Sequence, residues 1–240
     1  MAGSHEAGGR GPKTPDLQVG TAGASARARY DALRRRDDAG RRKTFGPLAP
    51  LVRLIAGPDE STEAWGRGAD GEERIAAYLH SAVGGGVLLH DRSIPRRRSN
   101  LDHIAVVSSG IWVIDSKHYR GRVERRTVGG WFRSRPALYV ARRDQTSLVA
   151  GALRQRALVA EVVGSDVPVQ VALCFIGAEW PFFARPFTID GVLVTWPRAL
   201  ARALGAPGGL GAAERTDLAR RVAETFPPYR TSTGPDTATT

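Results

Sequence analysis

Apolar positions along this chain fall in short blocks whose spacing switches from helical to extended and back. Over 61–86, Glu72, Ile75, Ala76 and Leu79 recur at i, i+3, i+4 and i+7, which is one face of a helix. Ser61 suits the N-cap and the glycines at 84–86 suit the stop. VLLHD (87–91), LDHIAVVS (101–108) and IWVIDSK (111–117) read as three strands. A basic loop at 92–100 joins the first two, and a tight turn at Ser109-Gly110 makes the last two a hairpin. The stretch 121–135 adds a further strand and a Gly-Gly turn. A helix is predicted from about 143 to 163, with Leu148, Ala152, Gln155, Val159 and Val162 on one face. Strands follow at 167–177 and 187–196, then a helix at 197–204 with Pro at its start, and a last helix at 212–226. Helices interleaved with a mixed central sheet indicate an α/β class, folded as an α/β/α sandwich.

The flanks differ from this core. Residues 1–43 read as a basic, disordered tail, although 24–43 has the length of a short charged helix without an apolar stripe. Residues 44–60 form an apolar docking segment around LAPLVRLIAG (48–57). The core is expected over 61–204, a linker and C-terminal helix over 205–226, and disorder over 227–240. Hydrophobic residues at 42% allow a sizeable core, and no apolar run approaches the roughly 18–20 residues that span a bilayer. The N-terminus has no apolar stretch of the kind that marks a secretory signal. The single cysteine, Cys174, excludes an internal disulfide and any multi-cysteine zinc site; in its apolar strand it reads as a small buried hydrophobe. The expected compartment is cytoplasmic.

The formal charge is +11, and residues 1–43 carry only part of it, with ten basic groups against five acidic ones. A basic chain favours polyanionic partners such as nucleic acid. Arginines number 32 and lysines three (Lys13, Lys43 and Lys117), so the predicted core has one lysine. Lys differs from Arg in being able to lose its proton when its surroundings lower its pKa, which marks Lys117 for chemistry.

Lys117 ends an apolar strand, two residues after Asp115. Side chains alternate along a strand, so the two share a face. Asp102 begins the neighbouring strand; a turn at 109–110 puts it roughly opposite Lys117. Two carboxylates at such an end form a hard-oxygen site suited to Mg²⁺ or Mn²⁺, which take one or two carboxylates plus water and phosphate oxygens. A Lys beside them can orient a water, neutralise developing charge or act as a base. Taken alone, Asp115 and Lys117 also fit a solvated strand end with a weak ion pair. Glu72, on an apolar helix face, needs a partner or a role.

GADGEERIAAYL, NLDHIAVVSSGIWVIDSKHYRG and the later helix with Gln155 resemble the nuclease-related domain family (NERD), placed in the PD-(D/E)xK, restriction-endonuclease-like superfamily. The resemblance covers about 62–195. It implies a restriction-endonuclease-like core of helix, three-stranded meander, helix and strand. It implies Glu72 as the helix-borne acid, Asp102 and Asp115 as metal ligands, and Lys117 as the catalytic lysine. Gln155, with Gln145 second, would be the polar residue of the following helix; a core-satisfied glutamine fits Gln155 equally well. Asp115 stands where the family usually carries Glu, a side chain one methylene longer.

The expected function is therefore a Mg²⁺- or Mn²⁺-dependent nuclease acting on DNA, with RNA as the alternative polymer. The alternative is a non-catalytic nucleic-acid-binding or protein-interaction module with the same fold. Arg96, Arg97, Arg98, His118 and Arg120 are candidates for phosphate contact, although a solvated loop explains the three consecutive arginines as well. His103 points away from Asp102 and reads as structural, and Trp112 and Trp131 read as packing. The absence of a G-x-x-x-x-G-K-[ST] loop argues against ATP hydrolysis.

Overall fold

The computed structural model describes residues 17–45, 75–76, 78–97, 99–130 and 133–230. Glu72, Arg98, Trp131, the 48–57 segment and the proposed cap Ser61 lie outside them. The strands are β1 (Val87–Ser93), β2 (Asn100–Val107), β3 (Gly110–His118), β4 (Val123–Val128), β5 (Arg135–Val140), β6 (Arg143–Asp144), β7 (Val169–Ile176), β8 (Phe187–Ile189) and β9 (Val192–Thr195). The helices are α1 (Ala24–Phe45), α2 (Ser147–Val163), α3 (Pro197–Leu204) and α4 (Ala212–Thr225). Residues 78–82 are also helical and stop where Gly84 and Gly85 take positive φ.

Six strands form the main sheet in the order β1-β2-β3-β7-β9-β8. The β1-β2-β3 meander is antiparallel, β3-β7 and β7-β9 are parallel, and β8 closes the far edge antiparallel to β9. Period-two alternation sorts β3 between two cores. Ile111 and Val113 pack with Ile104, Val106, Val171 and Leu173 beneath α2 and α4. Trp112 and Ile114 go to the other face with Ala105, Ala172 and Cys174, against Ile75 and Leu79 and against Leu200 and Leu204 of α3. Helices thus cover both faces, giving a mixed α/β fold consistent with the restriction-endonuclease-like class.

Several elements differ from the sequence expectation. The β2-β3 turn is Ser108-Ser109, because Val107 pairs with Gly110. Gly110 itself has φ 125° and lies so close to Pro168 that a Cβ would collide with the Pro168 carbonyl oxygen. The strand within 121–135 is β4; it pairs with β5 and, through it, with β6 in a separate three-stranded sheet, so α2 begins at Ser147. The 187–196 block folds back on itself at Asp190-Gly191, both at positive φ, and makes the β8-β9 hairpin.

The edge strand β1 is covered rather than open. The N-terminal segment from residue 17 packs along β1: Val19 O accepts from His90 N, Ala22 is buried, and so is Ala26 in the first turn of α1. The C-terminal segment beyond 226 also returns to β1, where Ser93 N donates to Pro227 O and Tyr229 N to Asp91 O. Covering an edge in this way removes a template for strand pairing between molecules.

Candidate active site at the ends of β2 and β3

The β2-β3 ladder runs from Val107↔Gly110 to His103↔Ile114. Continued by one residue, it sets Asp102 across from Asp115, not Lys117, since the turn lies one residue earlier than the sequence reading has it. A partner shifted by two residues keeps the same face, so all three side chains still point the same way. That face follows Ile104, Val106, Ile111 and Val113, and α2 covers it.

Asp115 is nearly buried, at 5% exposure. Lys117 Nζ lies 2.5 Å from Asp115 Oδ1 and donates to it. Asp102 Oδ2 accepts from the backbone N–H of Ser116 at 2.8 Å, so a side chain takes the place of the next ladder bond. Burial pulls the Lys117 ammonium down, but the Asp115 and Asp102 carboxylates and the hydrogen bond to Asp115 outweigh it, and its pKa rises above the ordinary lysine value. The arrangement favours an ammonium between two carboxylates over a neutral amine.

Among the described residues, no group of three or more His, Cys, Asp or Glu side chains is placed to hold a metal ion. The donor set at this strand end is two carboxylates, which fits a hard divalent cation that completes its shell with water and phosphate oxygens.

The buried stripe of α2 is Val149, Ala152, Val159 and Val163. Gln155 stands between Ala152 and Val159 on that stripe, and its Oε1 is buried without a hydrogen-bond partner. Gln145 precedes α2 and accepts a 3.4 Å hydrogen bond from Tyr119 Oη. Tyr119 is a neighbour the sequence reading missed, although positions 115, 117 and 119 share one strand-face period. Its ring packs edge-on against Phe175 at 5.8 Å, and its phenol also acts on Lys117.

Arg96 and Arg97 are exposed on the β1-β2 connection, at the strand end that bears Asp102. His118 is partly buried and Arg120 exposed, immediately beyond Lys117. His103 is fully buried on the opposite face, with Nδ1 2.9 Å from His90 Nδ1; burial, then the neighbouring His90, lowers its pKa to about 3. Cys174 is fully buried and its thiol pKa is pushed up by that burial.

Residues 67–176 match the nuclease-related domain family, NERD. The matched stretch ends with β7, so β8, β9, α3 and α4 complete the sheet and both its faces from outside it. Every acid, lysine and glutamine singled out above falls inside the nuclease-related stretch. No curated protein and no solved structure matches the chain. Among the described residues, no helix is long and apolar enough to cross a membrane.

Proposed function

We propose that the nuclease-related domain of this chain is a metal-dependent nuclease that hydrolyses phosphodiester bonds of DNA, with RNA as the alternative polymer. One observation carries the reading: Lys117 Nζ sits 2.5 Å from Asp115 Oδ1 on the face that Asp102 shares. A structural strand end needs no such convergence of two acids and the core's lone lysine. The match to a nuclease-related family supports the same reading.

In this proposal Asp102 and Asp115 hold Mg²⁺ or Mn²⁺, with Glu72 as the further acid that the family resemblance implies. When bound, such a cation supplies positive charge for a phosphoryl oxygen and lowers the pKa of water. Lys117 carries three donors. One is spent on Asp115, and the ammonium presents positive charge to a phosphodiester entering beside it. Gln155, whose buried Oε1 lacks a partner, fits a polar support from the helix above. Arg96, Arg97, Arg98, His118 and Arg120 supply sequence-independent affinity for the backbone.

The test is incubation of the purified chain with plasmid, oligonucleotides and RNA in Mg²⁺, Mn²⁺ or EDTA. Lys117→Ala is expected to abolish metal-dependent cleavage while leaving folding and DNA binding nearly intact. Equal cleavage by the variant rejects the assignment. Binding with no metal-dependent cleavage by the wild type makes the domain a non-catalytic nucleic-acid-binding module instead.

A further inference from the structure

Two aromatic rings on the loop after β7 are almost wholly in solvent: Phe182 is 94% exposed and Phe183 89%. They occupy the central corners of a four-residue turn closed by Ala184 N donating to Pro181 O at 2.8 Å. Their rings meet edge to face at 5.0 Å. The turn is not a loose flap. Trp180, just before it, packs against Trp196 at 4.7 Å and Phe187 at 6.2 Å. Glu179 is stitched to the start of β4 through Glu179 N to Gly121 O and Val123 N to Glu179 O. Pro181 and Pro186 stiffen both flanks. Among the described residues, the two rings are left almost wholly to solvent, an exposure that marks an interaction surface rather than core packing.

The surroundings indicate what the rings meet. Between β4 and the flanks of the turn (Trp180, Pro181, Ala184, Arg185 and Phe187) lies an open groove of about 410 Å³, lined by Arg122, Arg125, Arg126 and Arg185, with Glu124 as the acid among them; Phe182 borders the adjoining hollow formed with Trp180 and Trp196. Glu124 pairs with Arg122 and Arg126, so the groove keeps a surplus of positive charge. The groove and the turn rise from the carboxyl ends of β3 and β7. His118, one residue beyond Lys117, pairs with Ile176, and the phenylalanines follow six and seven residues after Ile176. Ligands of open α/β sheets gather at that end of parallel strands.

We infer that Phe182 and Phe183 form a base-stacking platform, and that the substrate is a nucleic acid strand with unpaired bases threaded along the arginine groove. This rests on the nuclease reading above and narrows its substrate. Arginines following a backbone and aromatic faces taking bases are the two components of single-strand binding. In continuous duplex each base face is already covered by its neighbours, so exposed rings gain little from it.

The experiment uses the full chain in EDTA, so that binding is read without cleavage. Fluorescence anisotropy compares a labelled single-stranded oligonucleotide with the same sequence as blunt duplex. Phe182→Ala/Phe183→Ala is expected to weaken single-strand binding by at least about tenfold and duplex binding by less than about twofold. Phe182→Trp/Phe183→Trp, which keeps a stacking face, is expected to bind the single strand at least as well as wild type. Both pairs are solvent-exposed, and a thermal melt checks that each variant folds. The inference is overturned by single-strand affinity that does not change, by equal loss on both substrates, by a wild type that does not bind the strand, or by phenylalanine-dependent binding to anionic lipid vesicles in place of the strand. Failure of cleavage in any metal removes the nuclease reading and leaves this binding result standing; cleavage that persists with unchanged binding does the reverse.

Discussion

Two strands of the main sheet each carry an acid and a base close together, and they use them differently. In β1, Asp91 and Arg92 are consecutive, with Asp91 at φ 44°, and they find separate partners. Asp91 accepts from Asn100 Nδ2 at 2.7 Å and from the backbone N–H of Ser25. Arg92 is fully buried and gives its guanidinium to three carbonyls: Phe226 O at 2.6 Å, Gln18 O at 2.6 Å and Ala223 O at 2.9 Å. Two of those carbonyls end α4, where positive charge also complements the helix dipole. In β3, Asp115 and Lys117 are two residues apart, share a face and meet each other. The consecutive pair serves as two separate anchors, whereas the pair two residues apart meets on one face.

The largest effect that separates them is on cleavage. Asp115→Asn is expected to reduce metal-dependent hydrolysis by about 10²–10³-fold, the scale of losing one group that stabilises transition-state charge. Plasmid nicking measured against a melt of the same sample reads both activity and folding. A variant that cuts at wild-type rate breaks the contrast between the strands.

Arg92→Met is the complementary change. It leaves three carbonyls, that of Phe226 buried, without their donor and unties the N-terminal segment and α4 from β1. Leaving a buried acceptor without its donor costs roughly 1–3 kcal/mol. Urea denaturation is expected to show that loss, while the fraction that remains folded keeps its specific activity. Loss of activity without loss of stability would instead place Arg92 in the site.

How much of this was legible beforehand follows from the same spacing rule. The Asp115-x-Lys117 pair and its face could be read because strand period fixes them without tertiary knowledge. The register could not, because Ser108-Ser109 and Ser109-Gly110 are both acceptable turns and only the approach of Gly110 to Pro168 selects between them. The three-stranded β4-β5-β6 insertion was half visible, since its arginine-rich strands are too polar for an apolar period to mark. Asp190-Gly191 carried a hairpin signal within one apolar block. Arg92 had no signal at all: within RSIPRRRSN it looks like its exposed neighbours, and its burial depends on carbonyls 74 to 134 positions away in sequence.

A smaller effect tests the β1 side through pH. Burial, then His80 and Arg92, hold His90 at a pKa of about 4, and His103 Nδ1 lies 2.9 Å from it. The folded value lies below the free histidine value of 6.5, so the unfolded chain binds more protons between the two. Stability from this group is therefore full above pH 6.5 and falls as pH drops toward about 4. With His90 partly exposed, the loss between pH 7 and pH 5 is discounted to about 1 kcal/mol. Urea midpoints at the two pH values are expected to show a shallower pH slope in His90→Asn than in wild type; equal slopes reject the assignment.

The smallest effect lies four and five residues beyond Arg92. Arg96 sits at φ 62° and, like Arg97, is exposed on the β1-β2 connection beside Asp102. If these two serve phosphates as Arg92 serves carbonyls, each contributes through counterion release, which is a salt effect rather than a stability effect. Arg96→Ala and Arg97→Ala are each expected to leave the urea midpoint unchanged and to flatten the plot of log affinity against log salt by about one unit. The loss is uniform across sequences, because a phosphate contact carries no base information. A variant whose salt slope equals that of wild type makes its arginine a solvated loop residue, and the phosphate contacts then fall to His118, Arg120 and the groove along β4.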